Sequence, residues 1–386
     1  MKIGVSTSVI QRGQTGIGQY LFALLRAFAA ASTKTQFTLF VLEEDLALFD
    51  FAASKMQIIP VREKFRPAAK NILWHQTELP KLIHQYKIDL LHVPSYRRML
   101  WPKPCPLVAT IHDLAPFHVP KKYDWKRMLY GKMIVKQLAK RQDQIIAVSH
   151  NTAQDIVRFF GVSPEKITVI HNGLDHARFF PGSRDEAKKW KTRHQINAPF
   201  FLYVARLEHP GKNHVRLIQA FNDFKSETKS DWKLVLGGSD WPGAEIIHAK
   251  IRQSNFSHDI HSLGFVSHDD LPILYRAADI FIYPSLYEGF GMPPLEAMAC
   301  GCPVISSPRG SLGEVVGTAA QIIDPENISQ LKTEMTRLAN DPTAREKLRQ
   351  AGLQQAQLFD WQKTAEATLQ IYASALEKIG GIKRRK

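Results

Sequence analysis

Residues 283–307 read Tyr-Pro-Ser-Leu-Tyr-Glu-Gly-Phe-Gly-Met-Pro-Pro-Leu-Glu-Ala-Met-Ala-Cys-Gly-Cys-Pro-Val-Ile-Ser-Ser. The apolar run just before this stretch, Ile280–Ile282, predicts a buried strand. Gly289 and Gly291 predict a loop after it. The two prolines and the residues after them predict a short helix that stops at Gly301, because proline is tolerated in a first helical turn and glycine ends helices. Strand, loop, helix and strand in this order form one βαβ unit of a parallel sheet.

Two carboxylates belong to this unit, Glu288 in the loop and Glu296 in the first turn of the expected helix. Free amides of Phe290, Gly291 and Met292 would lie beside the helix N-terminus, which favours hydroxyl or anionic oxygens. Carboxylates accept hydrogen bonds from neighbouring hydroxyls of a ribose or a hexose. The segment therefore predicts a nucleotide-sugar site. The alternative is a plain βαβ crossover in which Glu296 only interacts with the helix dipole.

The segment from Glu288 to Glu296 and beyond resembles the donor-site signature of retaining glycosyltransferases of family 4. Other segments match that family in the same order along the chain: Thr15–Gly18, Ile111–Leu114, His171–Asp175 and Val204–Asn213. The resemblance covers most of the chain. It implies an α/β protein of the GT-B fold, with two Rossmann-like doubly wound domains that face a central cleft.

Alternating strands and helices independently predict two parallel-sheet domains in a chain of 386 residues. The expected strands are 2–6, 37–42, 57–60, 89–93, 107–111, 144–148, 167–170, 200–205, 233–237, 260–263, 280–283, 304–306 and 320–323. We expect an N-terminal, acceptor-binding domain at 1–180 and a nucleotide-sugar-binding domain at 181–360, whose first residues, 181–197, form a polar linker. A helix from residue 361 is expected to pack back on the N-terminal domain and to end in a basic tail.

Two cations follow a predicted strand of the second domain. Arg206 lies just past the strand, and Lys212 opens the next expected helix. A strand end, two cations and a helix N-terminus suit a diphosphate, although solvated surface cations are the alternative. The chain contains no Asp-x-Asp, the carboxylate pair through which other transferases hold a metal. We therefore expect no metal and no cofactor, with Arg206 and Lys212 stabilising the leaving group.

The resemblance implies further roles. It implies retention at the anomeric carbon without an enzymic nucleophile, so Glu288 is expected to hold hydroxyls of the donor hexose and Glu296 those of the ribose. It implies that Val266 and Leu271 border the base. Sequence alone favours a structural role for His112, whereas the resemblance implies a catalytic histidine that contacts the donor sugar and the acceptor.

Glycines follow the first strand at Gly16 and Gly18, where they would let the backbone approach a diphosphate. The dinucleotide-binding fingerprint requires a third glycine, and the chain has Leu21 there. The sequence therefore predicts a donor-binding loop and argues against a dinucleotide.

Positive charge is concentrated in the first half of the chain. The formal net charge is +15, and residues 1–180 hold 25 Lys and Arg against 13 Asp and Glu. Residues 121–141 carry eight cations and one carboxylate among apolar side chains. On a helical wheel one side groups Met128, Val135, Leu138 and Ala139. The other side groups Lys126, Lys132, Lys136 and Lys140, interleaved with Trp125, Leu129 and Met133. This mixture suits an anionic lipid surface, with an ordinary solvated helix as the alternative.

The sequence favours a cytoplasmic enzyme, peripherally attached to the inner face of the membrane, since it has no long apolar segment and no secretion signal. The expected partners are a nucleotide sugar, with GDP-mannose ahead of UDP-glucose and UDP-N-acetylglucosamine, and a lipid-linked or polymeric glycan of a surface polysaccharide. Another nucleotide-sugar enzyme of the same fold, such as an epimerase, is the alternative. A nucleic-acid binder is disfavoured, because no zinc finger, RNA-binding aromatic motif or basic zipper is present.

Overall fold

The computed structural model describes residues 1–13, 15–119 and 131–383. These residues form two compact α/β units. The first unit contains residues 1–117, 131–173 and 360–383, and the second contains residues 174–359 together with 118 and 119. The chain passes from the first unit to the second after Gly173, and it returns to the first at Asp360.

Each unit is built on a parallel sheet. The strands of the first are β1 Lys2–Ser6, β2 Gln36–Leu42, β3 Gln57–Val61, β4 Leu90–Val93, β5 Leu107–Ile111, β6 Gln144–Ala147 and β7 Ile167–Val169, in the order β3-β2-β1-β4-β5-β6-β7. Those of the second are β8 Phe200–Val204, β9 Lys233–Gly237, β10 Ile260–Gly264, β11 Ile280–Tyr283, β12 Val304–Ser306 and β13 Gln321–Ile322, in the order β10-β9-β8-β11-β12-β13. The predicted strands are confirmed, with small shifts at their ends. In both sheets the order reverses beside the unit's first strand, and ligands bind outside the strands' carboxyl ends at such a point.

Helices cover both sheets. They are α1 Gly16–Ala30, α2 Ala68–Gln85, α3 Lys136–Lys140, α4 His150–Asp155, α5 Arg184–Arg193, α6 His214–Thr228, α7 Ala244–Arg252, α8 Asp270–Ala277, α9 Met292–Ala299, α10 Leu312–Val316, α11 Ile328–Asn340, α12 Pro342–Ala356 and α13 Trp361–Lys383. Short 3-10 segments lie at Glu43–Ala52, Glu63–Phe65, Tyr96–Arg98, Ala115–Phe117, Pro164–Lys166 and Ser257–Asp259. Five-residue π-helical segments precede α3 at Gly131–Val135 and follow α4 at Ile156–Phe160.

The polar stretch 181–197 was predicted to be a linker, and this prediction is wrong. Most of it forms α5, whose first turn is capped by the Ser183 side chain. Trp190 is buried on this helix and packs near Phe200 of β8, with ring centroids 6.3 Å apart. Only a few apolar residues anchor the helix, so its composition resembles that of a loop.

The C-terminal helix α13 belongs to the first unit. Its buried face contributes Ala365, Tyr372 and Ala375 to the same apolar core as α1 and β1. The Thr364 hydroxyl also donates to the His171 carbonyl at 2.8 Å. Among the helices that the described residues form, none combines the length and apolar character needed to cross a bilayer.

The three cysteines are unpaired. Cys300 and Cys302 are buried, and burial raises the pKa of the Cys105 and Cys300 thiols to about 12. Burial also raises the pKa of the Cys302 thiol well above its usual value, so all three thiols are protonated at neutral pH.

A buried polar chain ties α13 to the sheet. The Tyr372 hydroxyl lies 2.8 Å from His92 Nδ1, and His92 Nε2 lies 2.8 Å from the Thr110 hydroxyl. Tyr20 extends the chain, with its hydroxyl 3.3 Å from that of Thr110. Burial lowers the pKa of His92 to about 3, so its ring is neutral and both of its nitrogens depend on these partners.

Replacing Tyr372 by Phe should therefore leave His92 Nδ1 buried without a partner. We expect Tyr372→Phe to lower the free energy of unfolding by about 1–3 kcal/mol. The matched control is Tyr86→Phe, because the Tyr86 hydroxyl makes no hydrogen bond within the described chain. Thermal and urea denaturation followed by circular dichroism would measure both. Equal small effects would show that the hydroxyl of Tyr372 contributes nothing.

Candidate functional site

The second sheet brings two distant segments together at its reversal point. Strands β8 and β11 are hydrogen-bonded neighbours, with Ile280 opposite Phe201. Since both strands run in the same direction, the loops after them meet at one edge. Lys212 Nζ lies 2.5 Å from Glu288 Oε1 there, and the Tyr283 hydroxyl donates to the same oxygen at 3.0 Å.

This ion pair is largely shielded from water. The side chains of Lys212 and Glu288 are 13% and 16% exposed. The sequence predicts that Lys212 binds a diphosphate and that Glu288 binds sugar hydroxyls, and the structure places the two side chains in direct contact. An anionic ligand oxygen would compete with Glu288 for the ammonium, while a hydroxyl could donate to the carboxylate. The pair can thus meet a phosphate and a sugar at the same point.

The loop that carries Glu288 is held by its own backbone. Gly310 has φ +65° and lies so close to the Glu288 backbone that any side chain would collide with it. Ser311 donates through its amide to the Glu288 carbonyl at 3.0 Å and through its hydroxyl to the Phe290 carbonyl at 2.7 Å. The position of Glu288 is therefore set by main-chain contacts.

The N-terminus of α9 lies directly after this loop. Gly291 caps the helix with φ +111°, and Pro293 and Pro294 follow Met292 in its first turn. Proline has no N–H, so few donors remain at this end. Among the described residues, the amides of Gly291 and Met292 find no acceptor. Two unused N–H groups at a helix N-terminus suit an anionic or hydroxyl oxygen.

Glu296 lies one turn into α9, so its predicted place in the first turn is wrong. The Tyr275 hydroxyl donates to Glu296 Oε2 at 2.9 Å. Burial raises the pKa of Glu296 to about 6, against the opposing effects of that hydrogen bond and the positive charge of Arg178. The carboxylate is therefore poised to accept further hydrogen bonds, since each would offset part of its desolvation.

Arg206 follows β8 and has partners other than the ion pair. Its guanidinium lies over the Trp241 ring at 4.5 Å and 3.4 Å from Glu208 Oε2. With 49% of the side chain exposed, it can meet a ligand. The structure thus brings together Lys212, Glu288 and the α9 amides, and it shows Arg206 at the same edge with partners of its own.

Several residues that support the site were missed from the sequence. The Tyr203 hydroxyl donates to the Lys212 carbonyl at 2.6 Å, and Asn213 donates to the carbonyls of Pro284 and Pro325 at 3.0 and 2.7 Å. Tyr203 and Tyr283 are both at or near a strand's carboxyl end, which is the signal that could have identified them. The Asn213 bonds join loops far apart in sequence and had no such signal.

Val266 and Leu271 lie after β10, at the same edge of the sheet. Val266 is half-buried and packs close to Gly237 at the end of β9, and Leu271 belongs to α8. Their predicted contact with the base stays a prediction.

His112 belongs to the first unit, where it directly follows β5. Its ring packs edge-on against Tyr20, with centroids 4.7 Å apart. Burial lowers its pKa to about 4, despite the nearby charge of Asp113 and a hydrogen bond with the Pro94 backbone. Within the described residues Nε2 is buried and has no partner. A neutral imidazole with an unused nitrogen is suited to hydrogen-bond a substrate hydroxyl.

The two glycines after β1 differ. At Gly18 a side chain would press on the Ile10 carbonyl and the Gly13 backbone, so glycine has a structural reason there. The Gly18 amide also donates to the Thr15 hydroxyl at 3.1 Å. Gly16 has open space where a side chain would stand. Of the two, Gly16 leaves room for a ligand beside the start of α1.

The basic segment 121–141 lies partly outside the described residues. Trp125 and Lys126 fall there, as does the side chain of Lys132. In the described part, Val135, Leu138 and Ala139, which share one side of the helical wheel, are buried, while Met133 and Ile134 are 62% and 51% exposed. Exposed apolar side chains thus accompany the cations.

Comparison with known proteins gives matches along nearly the whole chain. Residues 14–178 match the family model described as Glycosyltransferase Family 4, and residues 184–355 match Glycosyl transferases group 1. The O-antigen chain mannosyltransferase B of Escherichia coli is 30% identical over 391 residues, covering 96% of this chain and 99% of that protein. The MMP alpha-(1->4)-mannosyltransferase of Mycolicibacterium hassiacum is 29% identical over 289 residues, covering 71% of this chain and 66% of that protein.

Solved structures agree in fold. HepE of Anabaena, in complex with UDP and glucose, superposes with a TM-score of 0.76 at 19% identity and covers 97% of this chain and 100% of that chain. The sucrose-phosphate synthase of Thermosynechococcus elongatus superposes with a TM-score of 0.77 at 20% identity, covering 98% and 100%.

The raised pKa of Glu296 implies that the free energy of unfolding depends on pH. Because folding raises this pKa from 4.5 to about 6, the ionised carboxylate destabilises the fold above pH 6 and has no such effect below pH 4.5. Glutamine keeps an acceptor for the Tyr275 hydroxyl without the charge. We expect Glu296→Gln to raise the free energy of unfolding by about 2 kcal/mol at pH 8.

The gain should shrink towards zero as the pH falls to 4.5, and thermal denaturation across this range would measure it. The exposed Glu366 of α13 supplies the control, since Glu366→Gln should change little at any pH. A pH-independent effect of Glu296→Gln would contradict the burial of a charge as its cause.

Proposed function

Because the chain belongs to family 4 of the glycosyltransferases and has the GT-B fold, we propose that it transfers a hexose from a nucleotide sugar to a glycan with retention at the anomeric carbon. We propose GDP-mannose as the donor. The mannosyltransferase matched over 96% of the chain supports this choice, and its name, which refers to O-antigen chains, supports a lipid-linked or polymeric glycan of a surface polysaccharide as the acceptor.

The observation that carries the proposal is the ion pair of Lys212 and Glu288 beside the unused amides of Gly291 and Met292. In the proposed complex the Lys212 ammonium turns to the donor diphosphate. Glu288, released from the pair, accepts hydrogen bonds from hydroxyls of the hexose, and Glu296 accepts those of the ribose.

In the reaction, the bond between the sugar C1 and the diphosphate oxygen breaks, and a bond between C1 and the acceptor oxygen forms on the same face. The proton of the acceptor hydroxyl passes to the departing phosphate oxygen. Arg206, Lys212 and the helix amides stabilise the negative charge that develops on the diphosphate. His112 contributes a neutral hydrogen-bonding group. No metal is required in this scheme, which agrees with the lack of an Asp-x-Asp sequence.

The test is transfer by the whole protein from GDP-mannose, UDP-glucose or UDP-N-acetylglucosamine to a mannose oligosaccharide, analysed by mass spectrometry and by NMR of the new linkage. We expect transfer from GDP-mannose, retained configuration and full activity in EDTA. Consumption of a donor into an isomeric nucleotide sugar without acceptor would identify an epimerase instead.

Removal of one charged donor from the leaving group should slow the reaction strongly. We expect Lys212→Ala to lower kcat by about 10²-fold or more. Lys332→Ala is the matched control, because Lys332 pairs with Glu227 at 2.6 Å on the surface of the same unit. If both variants kept nearly full activity, the assignment of the site would fail.

We further propose that residues 121–141 attach the enzyme to anionic lipid. The exposed Met133 and Ile134 beside the cations support this proposal. Each cation near such a surface contributes about 1 kcal/mol. Changing Trp125, Lys126, Lys132 and Lys136 together to neutral polar residues should abolish sedimentation with phosphatidylserine vesicles. Neutralising the exposed Lys188, Lys189 and Lys363 instead should leave most of it, and unchanged binding of the first variant would reject the proposal.

A further inference from the structure

An exposed tryptophan, Trp241, lies beside Arg206 and is not part of the proposed donor site. Trp241 follows β9 and is 48% exposed, and the Arg206 guanidinium lies over its ring at 4.5 Å. The ring borders an open cavity of about 530 Å³. The cavity lies where the loop after β9 leads into α7. This cavity is lined by Asp240, Trp241, Pro242, Ala244, Glu245 and His248.

The backbone holds this tryptophan in place. Its amide donates to the Leu207 carbonyl at 3.2 Å, and the Leu207 amide donates to the Ser239 carbonyl at 2.9 Å. Leu207 also forms a parallel bridge with Asp240. The loop after β9 is thus tied to the loop after β8 that carries Arg206. An exposed aromatic ring on a loop that backbone hydrogen bonds hold offers a ligand a large apolar face.

The polar groups of the cavity indicate the class of ligand. Asp240 Oδ1 lies 2.8 Å from His248 Nε2, and Glu245 is exposed nearby. In a chain with a net charge of +15, this cavity is lined by two carboxylates and no lysine or arginine. Carboxylates repel phosphates and other anions, so a nucleic acid or an anionic lipid does not fit. They accept hydrogen bonds readily from the hydroxyls of a neutral ligand.

A neutral sugar satisfies both parts of the cavity. One face of a pyranose carries C–H bonds that pack on an aromatic ring, and its edge carries hydroxyls. We propose that Trp241 is the platform of a glycan subsite, on which one sugar residue of the acceptor chain packs while Asp240, Glu245 and His248 accept or donate hydrogen bonds at its edge. The contact of Trp241 with Arg206 makes this subsite continuous with the proposed donor site. The inference rests on the proposed function in taking the acceptor glycan as the ligand.

The first test measures binding without a donor. A linear α-linked mannose oligosaccharide would be titrated into the full-length protein and followed by saturation-transfer NMR and calorimetry. We expect Trp241→Ala to weaken binding by about tenfold and Trp241→Phe, which keeps an aromatic face, by much less. Glu245→Gln should weaken it through the sugar edge alone, since Glu245 has no contact with Arg206 among the described residues.

The matched control is Trp101→Ala in the first unit. Trp101 is 46% exposed, and the Arg141 guanidinium lies over its ring at 4.6 Å, so it reproduces both the exposure and the cation contact. Equal weakening by Trp101→Ala and Trp241→Ala would overturn the subsite. GDP binding by the Trp241 variants supplies a second criterion. If they lost GDP affinity and kept oligosaccharide affinity, Trp241 would only position Arg206, and the proposal would be wrong.

The KM values for a long and a short acceptor distinguish a failure of the subsite from a failure of the proposed function. With intact transfer, Trp241→Ala should raise KM for a long acceptor by about tenfold and change KM for methyl mannoside little, because only the long chain reaches the platform. Equal KM changes for both acceptors would overturn the subsite and leave the transferase intact. Absence of transfer from every donor would overturn the proposed function, whereas oligosaccharide binding at Trp241 would still be measured directly.

Discussion

The ion pair between Lys212 and Glu288 is the contact on which the second unit's site depends. Its two side chains are 76 residues apart in sequence and 2.5 Å apart in space because β8 and β11 are parallel neighbours. Both charges are mostly out of water, and a shielded charge that loses its partner is costly. A ligand that binds the Lys212 ammonium must therefore also supply hydrogen-bond donors to the Glu288 carboxylate. A nucleotide sugar does so, since it carries phosphate oxygens and hydroxyl donors in one molecule.

Neutral hydroxyl groups around this pair help to keep its geometry. Burial raises the pKa of the Tyr203 and Tyr283 hydroxyls well above 10, so both remain neutral donors beside Lys212 and Glu288. Glu296 is held in the same manner by the neutral Tyr275. Carboxylates that are buried at a cost retain the capacity to accept hydrogen bonds from a ligand. Such sites lower stability in exchange for function, which is common in natural enzymes.

The elements of the fold could be predicted well wherever the local signal was strong. Strands such as 107–111, 233–237 and 280–283 are apolar, β-branched runs between turn residues, and the structure has them at those residues. The prediction failed at α5, where polar residues 184–193 form a helix because Trp190 finds a buried position against Phe200. It also placed Glu296 one turn too early, since helix α9 begins at Met292 and the start of a helix depends on the Gly291 conformation.

The sequence alone determined the fold class, the family and the segments that carry the candidate site. Hydrophobic periodicity, glycine loops and the spacing of Glu288 and Glu296 are local properties, so they can be read without the structure. Tertiary structure alone decided which of those groups meet. It paired Lys212 with Glu288, set Arg206 on Trp241, and buried His112 against Tyr20 with one nitrogen that has no partner in the part of the chain that the structure describes. These contacts arise from strand order and loop packing between distant segments, which leave no periodic trace in the sequence.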